Sequence, residues 1–127
     1  AILFLMMQGL GGSMWWVMLV GWPESRSPFL AETAPDSTLL AFFVADLLLY
    51  VGGSFASAWG LLSRRSWAWP VLCMHTGAAV YAGLYCLTLC LFSPASWLGA
   101  VLMTPSVVVT PLLVWSLRPE PASHGAE

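Results

Sequence analysis

Four long apolar stretches, separated by three short polar breaks, make up most of this 127-residue chain. The stretches lie near residues 2–22, 38–62, 67–92 and 97–117. Each is about as long as the roughly 20 apolar residues that a helix needs to cross a bilayer, and none alternates apolar with polar residues as barrel strands do. Because the breaks are short, consecutive helices should run in opposite directions. The sequence therefore predicts an all-α integral membrane protein built as an antiparallel four-helix transmembrane bundle.

Composition favours lipid over water as the main solvent. Charged residues are 8% of the chain, against about 25% in a typical soluble domain, and the mean hydropathy is +0.82. We expect residues 1–118 to form a single four-span domain and residues 119–127 to form a short disordered tail, because the tail is polar and rich in proline. With no lysine, four arginines and a net charge of −2, the chain lacks the clustered basic surface that nucleic-acid binding requires.

The arginines predict an orientation. With four spans, the two termini and the break between the second and third stretches lie on one side, which collects Arg64, Arg65 and Arg118. The opposite side has only Arg26. Because cytoplasmic loops carry an excess of arginine and lysine, we expect both termini to be cytoplasmic.

Small residues recur every four positions in the second stretch, at Gly52, Ala56 and Gly60. Such spacing makes one face of a helix flat, and flat faces let helix backbones approach closely inside lipid. The pattern predicts a helix-packing face, used either within the chain or to dock another subunit.

Asp46 is the one formal charge deep inside an apolar stretch. A carboxyl group near the centre of a membrane helix costs about 2.5–3.5 kcal/mol on insertion scales and usually faces the bundle interior. At a rise of about 1.5 Å per residue, Asp46 lies roughly 12 Å below the end of its helix. The same depth on the other helices holds aromatic and hydroxyl side chains, so we predict a ligand-binding group formed by Asp46, Trp15, Tyr81, Tyr85, Thr104 and Ser106.

His75 predicts a second polar layer. The same counting places His75 roughly 12 Å from Asp46 along the membrane normal, level with Gln8, Ser54 and Thr110. Simple hydrogen bonding within the bundle is one interpretation; a single axial ligand for a haem or a pigment is another. One histidine, one aspartate and three scattered cysteines do not provide the convergent ligands of a metal site, and no catalytic residue set is apparent. The sequence specifies no cofactor.

The four spans, with Asp46 early in the second and the pair His75–Thr76 in the third, resemble the sterol-binding and sterol-isomerase-related EXPERA membrane proteins. The resemblance implies a bundle that holds a lipid-like, sterol-like or cationic amphipathic ligand at Asp46. It also implies aromatic walls from Trp15, Trp16, Tyr50 and Tyr81. The first span lacks the additional acidic group expected in that family.

Two functions from different classes follow from these features. The first prediction is a non-catalytic accessory or structural subunit of a larger membrane complex, in contact with membrane lipids and with other membrane protein subunits. Its basis is the small extramembrane mass and the flat face of the second span. The alternative is a small bundle that binds a hydrophobic ligand at Asp46, or a pigment- or haem-contacting subunit that uses His75.

Overall fold

The computed structural model describes residues 1–119 and contains four long helices. We label them α1 (Ile2–Gly21), α2 (Asp36–Leu62), α3 (Ala68–Phe92) and α4 (Trp97–Ser116). No strand is found among the residues described. The predicted all-helical class and the four predicted stretches are therefore confirmed, with boundaries that agree within about two residues. Most of the predicted tail, residues 120–127, lies outside the described part of the chain.

Large apolar side chains cover the outside of the bundle, and several polar side chains are buried inside it. Large apolar side chains point outward, with Leu91 82% and Phe92 86% exposed, whereas His75 and Thr110 in the interior are 0% exposed. All four helices are long and apolar enough to cross a membrane. An apolar surface around buried, hydrogen-bonded polar groups is the arrangement expected when the solvent is lipid, because only the interior then supplies hydrogen-bond partners.

The second helix is irregular, which the sequence does not predict. Its α-helical parts, Asp36–Leu40, Phe43–Ala45 and Gly53–Leu62, surround a π-helical segment at Asp46–Gly52. A π-helix closes its hydrogen bonds over five residues rather than four, and such segments occur frequently at functional sites. The wider turn changes which residues share a face, so positions counted on a regular 3.6-residue period no longer align across it.

The predicted packing face is consequently divided. A Cβ atom added to Gly60 would lie 2.9 Å from the Ala68 Cβ atom of α3, so this glycine does face another helix. A Cβ atom on Gly52 would meet only the carbonyl oxygen of Leu47 in its own helix. Gly53, outside the predicted set, lies instead against the His75 ring, at 3.1 Å from Nδ1 for an added Cβ atom. Close packing of α2 against α3 therefore uses Gly53 and Gly60.

The core consists of two apolar clusters with polar residues between them. One cluster centres on Trp16, Leu19, Val51 and Ala79, and the other on Leu5, Ala58 and Leu72. Buried side chains between the clusters carry hydroxyl, amide or imidazole groups: Ser54, His75, Ser106 and Thr110. The candidate site described below lies at this layer of polar side chains.

Arg26 anchors the connection between α1 and α2. The connection forms a 3₁₀ segment at Pro23–Phe29. Arg26 Nε donates to the Leu19 carbonyl oxygen at 2.7 Å, near the end of α1, and Nη1 pairs with the Asp36 carboxylate at 2.7 Å, at the first residue of α2. One side chain thus satisfies a terminal carbonyl of α1 and places a counter-charge beside α2.

We expect Arg26→Ala to destabilise the protein by about 1–2 kcal/mol, because it removes a charge-assisted hydrogen bond to a helix-end carbonyl and a partly exposed ion pair. Denaturant unfolding in detergent micelles, followed by tryptophan fluorescence, measures the change. Arg65→Ala is the matched control, because Arg65 makes no side-chain hydrogen bond to another described residue and should change stability by less than about 0.5 kcal/mol. Equal effects of the two substitutions would contradict the anchoring role of Arg26.

Candidate ligand-binding cavity

A cavity of about 650 Å³ lies between the four helices. It extends from the level of Phe29 and Ser96, in the two connections at one end of the bundle, to Gln8 and Met74 further along the helices. Its volume is within the range of about 300–1,000 Å³ that is usual for small-molecule sites. The wall is mostly apolar, and its groups with hydrogen-bonding or acidic chemistry are few: Gln8, Trp15, Trp16, Asp46, Tyr50, Tyr81, Tyr85, Cys86, Ser96 and Ser106.

Asp46 lies on the cavity wall at the first residue of the π-helical segment. The indole N–H of Trp16 approaches its carboxyl group but falls short of hydrogen-bonding geometry, and the nitrogen is buried without another partner. The indole nitrogen of Trp15 is likewise buried and unpaired. Asp46 makes no side-chain hydrogen bond to another described residue, and its position on the cavity wall makes it accessible to a ligand.

Aromatic rings surround this end of the cavity. Trp15 and Trp16 pack edge to face with ring centroids 4.8 Å apart, and Trp15 packs the same way on Phe29 at 5.3 Å. Phe42 and Tyr85 form a further pair at 5.1 Å across α2 and α3. Edge-to-face pairs of this kind stabilise packing beyond their buried area, and the ring faces they leave free attract cationic groups.

His75 is fully buried and lies at the centre of a hydrogen-bond network. Its Nδ1 atom is 3.3 Å from the carbonyl oxygen of Leu49, in the π-helical segment. Its Nε2 atom is 3.2 Å from Gln8 Oε1 and 3.4 Å from Ser54 Oγ. Ser54 in turn donates to the Tyr50 carbonyl oxygen at 2.8 Å. The imidazole therefore connects α1, α2 and α3 through both of its ring nitrogens.

Ser106 joins the network to α4 and to the cavity. Its hydroxyl is 3.0 Å from Gln8 Nε2 and 2.7 Å from the Tyr50 hydroxyl. Gln8, Tyr50 and Ser106 also line the cavity, whereas His75 does not. The network thus has one end at the cavity wall and the other end buried against Leu49.

The residues predicted around Asp46 are placed as follows. Trp15, Tyr81, Tyr85 and Ser106 line the same cavity as Asp46, although Tyr81 is 68% exposed. Thr104 does not line it: its side chain is exposed and its hydroxyl donates to the Ala100 carbonyl oxygen within its own helix at 2.8 Å. Alone of the predicted group, Thr104 is thus directed away from the site.

The second predicted layer is brought together in part. Gln8 and Ser54 lie within hydrogen-bonding distance of His75. Thr110 is fully buried, but its hydroxyl donates to the Ser106 carbonyl oxygen at 2.8 Å rather than to His75. Because Ser106 contacts Gln8 while lining the cavity, the two layers are physically connected.

Three features of the site escape a count of residues along the sequence. They are the π-helical segment, the hydrogen bond between the Tyr50 and Ser106 hydroxyls at the cavity wall, and the approach of Trp16 to Asp46. The spacing of Tyr50 and Ser54, four residues apart, is a sequence signal for their shared face, but only the packed structure shows what that face meets.

The polar groups of the cavity wall are scattered among apolar side chains. Among the described residues, no group of three or more His, Cys, Asp or Glu side chains could hold a metal ion. The wall offers one carboxyl group, the phenols of three tyrosines and the hydroxyls of two serines in a mostly apolar cavity, which suits an amphipathic molecule with one polar end.

No family model matches the chain, and neither a curated protein nor a solved structure matches it.

Proposed function

We propose that this protein is a membrane-embedded bundle that binds a lipid-like amphipathic ligand in the cavity beside Asp46. The observation that carries the proposal is the position of this carboxyl group on the wall of a mostly apolar cavity of about 650 Å³. A membrane helix accommodates a carboxyl group at a substantial free-energy cost, and such residues typically mark ligand or ion sites. The accompanying resemblance to the EXPERA proteins implies the same kind of ligand.

The chemistry of the wall defines the ligand class. The apolar lining suits a rigid or branched hydrocarbon body, such as that of a sterol. Asp46 can accept a hydrogen bond from a hydroxyl or pair with a protonated amine, and the rings of Trp15, Trp16 and Tyr85 provide faces that favour a cation. The proposed ligand therefore has one small polar end, a hydroxyl or an amine, placed at Asp46.

Asp46→Asn is expected to weaken ligand binding by about tenfold or more, because the amide cannot carry the negative charge that pairs with an amine or strengthens a hydrogen bond. The chain is purified in a mild detergent, and mass spectrometry identifies the lipid retained by wild type and by the variant. Asp36→Asn is the matched control, because Asp36 lies outside the cavity at the start of α2. Unchanged lipid retention by a folded Asp46→Asn protein would rule out the proposal.

We further propose that the four helices span the membrane in alternating directions with both termini in the cytoplasm. The distribution of Arg64, Arg65 and Arg118 against Arg26 supports this orientation. The cavity would then open in the non-cytoplasmic half of the bilayer, because it lies at the end of the bundle that carries Phe29 and Ser96. Labelling of a cysteine introduced at Ser25 by a membrane-impermeant reagent from outside intact cells tests the assignment.

The role of accessory subunit in a larger membrane complex is the second candidate. One observation favours it: a Cβ atom on Gly77 would meet no atom within 4 Å, so α3 presents a flat, exposed position to its surroundings. Gly53 and Gly60, in contrast, are already used within the chain. Purification in a mild detergent should yield a larger assembly with other membrane proteins if this role is correct, and a particle containing this chain alone would count against it.

A haem or pigment ligand at His75 receives less support from the geometry. Both ring nitrogens lie within hydrogen-bonding distance of protein atoms, and the side chain is 0% exposed. An axial ligand needs one nitrogen directed at the metal, so the network would have to open before His75 could serve.

A further inference from the structure

We infer that His75 is a positioning residue that makes the cavity select ligands whose polar end donates a hydrogen bond. It does so by fixing the direction of a hydrogen-bond chain that runs through Gln8 and Ser106 to Tyr50 on the cavity wall. The inference rests on the proposed function and specifies how the same site chooses its ligand.

The hydrogen-bond chain starts at the carbonyl oxygen of Leu49, which can only accept a hydrogen bond. His75 Nδ1, 3.3 Å away, must therefore carry a proton. No carboxylate oxygen lies within 4.0 Å of the imidazole in the described part of the chain, and an unpaired cation sealed inside an apolar bundle is strongly disfavoured. The ring is thus neutral, which leaves Nε2 without a proton and able only to accept.

Gln8 connects His75 to Ser106 on α4, so the direction of the hydrogen bond at His75 determines the direction of the next one. Its carboxamide lies between His75 Nε2 and Ser106 Oγ, at 3.2 Å and 3.0 Å. The two ends of a carboxamide are nearly the same size, so a half-turn exchanges its oxygen and nitrogen in the same space. In the structure Oε1 faces His75 and Nε2 faces Ser106, but two acceptors cannot share a hydrogen bond, so opposite an accepting Nε2 atom we assign the exchanged orientation, in which the NH₂ group faces His75 and donates to it. The carboxamide oxygen then faces Ser106 and accepts its hydroxyl proton.

The Tyr50 hydroxyl is the last member of the hydrogen-bond chain. Ser106 has one proton, which it gives to Gln8, so it can only accept from Tyr50 across their separation of 2.7 Å. The phenol proton is thereby directed into the protein, and the oxygen keeps its free lone pairs at the cavity wall. Tyr50 consequently acts as an acceptor for the ligand. A doubly protonated His75 would keep its Nδ1–H bond to Leu49 but reverse the bonds through Gln8 and Ser106, which would leave the phenol proton of Tyr50 free to donate to the ligand.

The first test measures the tautomer directly and does not require a ligand. The protein, labelled with ¹⁵N at histidine, is reconstituted in lipid nanodiscs and studied by NMR, with His124→Gln present to leave a single set of histidine signals. We expect Nδ1 to have the shift of a protonated nitrogen and Nε2 that of an unprotonated one. The opposite tautomer, or two protonated nitrogens, would overturn the inference.

The second test measures selectivity with a matched pair of probes, cholesterol and its 3-methyl ether, which differ in their ability to donate. Wild-type protein in nanodiscs should bind cholesterol about five- to tenfold more tightly than the ether. This is the ratio of dissociation constants expected when one ligand donates a hydrogen bond to the Tyr50 oxygen and the other leaves that oxygen without a partner. Gln8→Met breaks the hydrogen-bond chain while leaving Asp46 in place. The ratio of the two affinities should then fall toward the value that Asp46 alone provides.

Ser54→Ala is the control for the second test. Ser54 touches His75 at 3.4 Å but is not a member of the chain, so its loss should leave the ratio unchanged. If wild type binds both sterols equally, or if Gln8→Met keeps the full ratio, the inference fails while the proposed function stands. If wild type binds neither sterol, the proposed function for sterol-like ligands fails, and the selectivity fails with it.

Discussion

Replacement of His75 by leucine is expected to destabilise the protein by about 3 kcal/mol, the largest loss that we expect from any single substitution at the site. The side chain is 0% exposed and contacts the Leu49 carbonyl oxygen, Gln8 and Ser54 through its ring nitrogens. Leucine has a comparable volume but supplies no polar atom. Each buried group left without a partner costs about 1–3 kcal/mol, and water cannot reach this position to compensate.

The measurement is SDS-induced unfolding in mixed micelles, with tryptophan fluorescence as the probe. Hydrogen bonds between membrane helices average about 0.6 kcal/mol and reach about 1.7 kcal/mol individually, so a loss near 3 kcal/mol indicates that several are broken together. Thr104→Val is the control, because Thr104 is exposed and bonded only within its own helix. If His75→Leu is no more destabilising than Thr104→Val, the network does not stabilise the bundle.

Gly83→Ala is expected to destabilise the protein by about 2 kcal/mol. A Cβ atom added to Gly83, on α3, would overlap the Cγ2 methyl group of Val107 on α4. Valine has one strongly preferred side-chain rotamer in a helix, so the methyl group cannot simply rotate away and the two helices must separate slightly. Overpacking of this kind typically costs about 1–3 kcal/mol.

A double-mutant cycle makes this prediction specific. Val107→Ala alone leaves a small void, and in the double variant the added methyl group of Gly83→Ala occupies it. The double variant should therefore be more stable than the sum of the two single losses predicts, by at least about 1 kcal/mol. Additive losses would show that the contact between Gly83 and Val107 is not what limits packing.

Gly77→Ala provides the matched control in the same helix. An added Cβ atom there has no neighbour within 4 Å, and alanine has a higher intrinsic helix propensity than glycine. We expect stability to be unchanged or slightly increased. The same unfolding assay applies to all four proteins.

The helices themselves were predictable because lipid imposes a simple requirement. A backbone in hydrocarbon must satisfy its own hydrogen bonds, and a helix of about 20 apolar residues does so. The apolar stretches near residues 2–22 and 67–92 correspond closely to α1 (Ile2–Gly21) and α3 (Ala68–Phe92). Length and hydropathy are properties of a segment alone, so no tertiary contact is needed to read them.

Counting residues along each helix predicted the grouping of the polar side chains less well. A regular helix places Ser106 with Asp46 and apart from His75, but Ser106 lies on the cavity wall and also contacts Gln8 in the network around His75. The cause is the long side chain of Gln8, which reaches both His75 Nε2 at 3.2 Å and Ser106 Oγ at 3.0 Å and so joins two levels that counting keeps apart.

The four apolar stretches thus determined by themselves that this chain forms four long helices suited to a bilayer, and they singled out Asp46 and His75 as polar groups in need of partners. Only the tertiary structure decided which residues are those partners. The depth of a residue follows from its position along one helix, but the face it presents depends on local winding and on the neighbours against which it packs. That is why Gln8 and Ser106, which counting by depth assigns to different layers, contact each other and join the buried histidine to Tyr50 at the cavity wall.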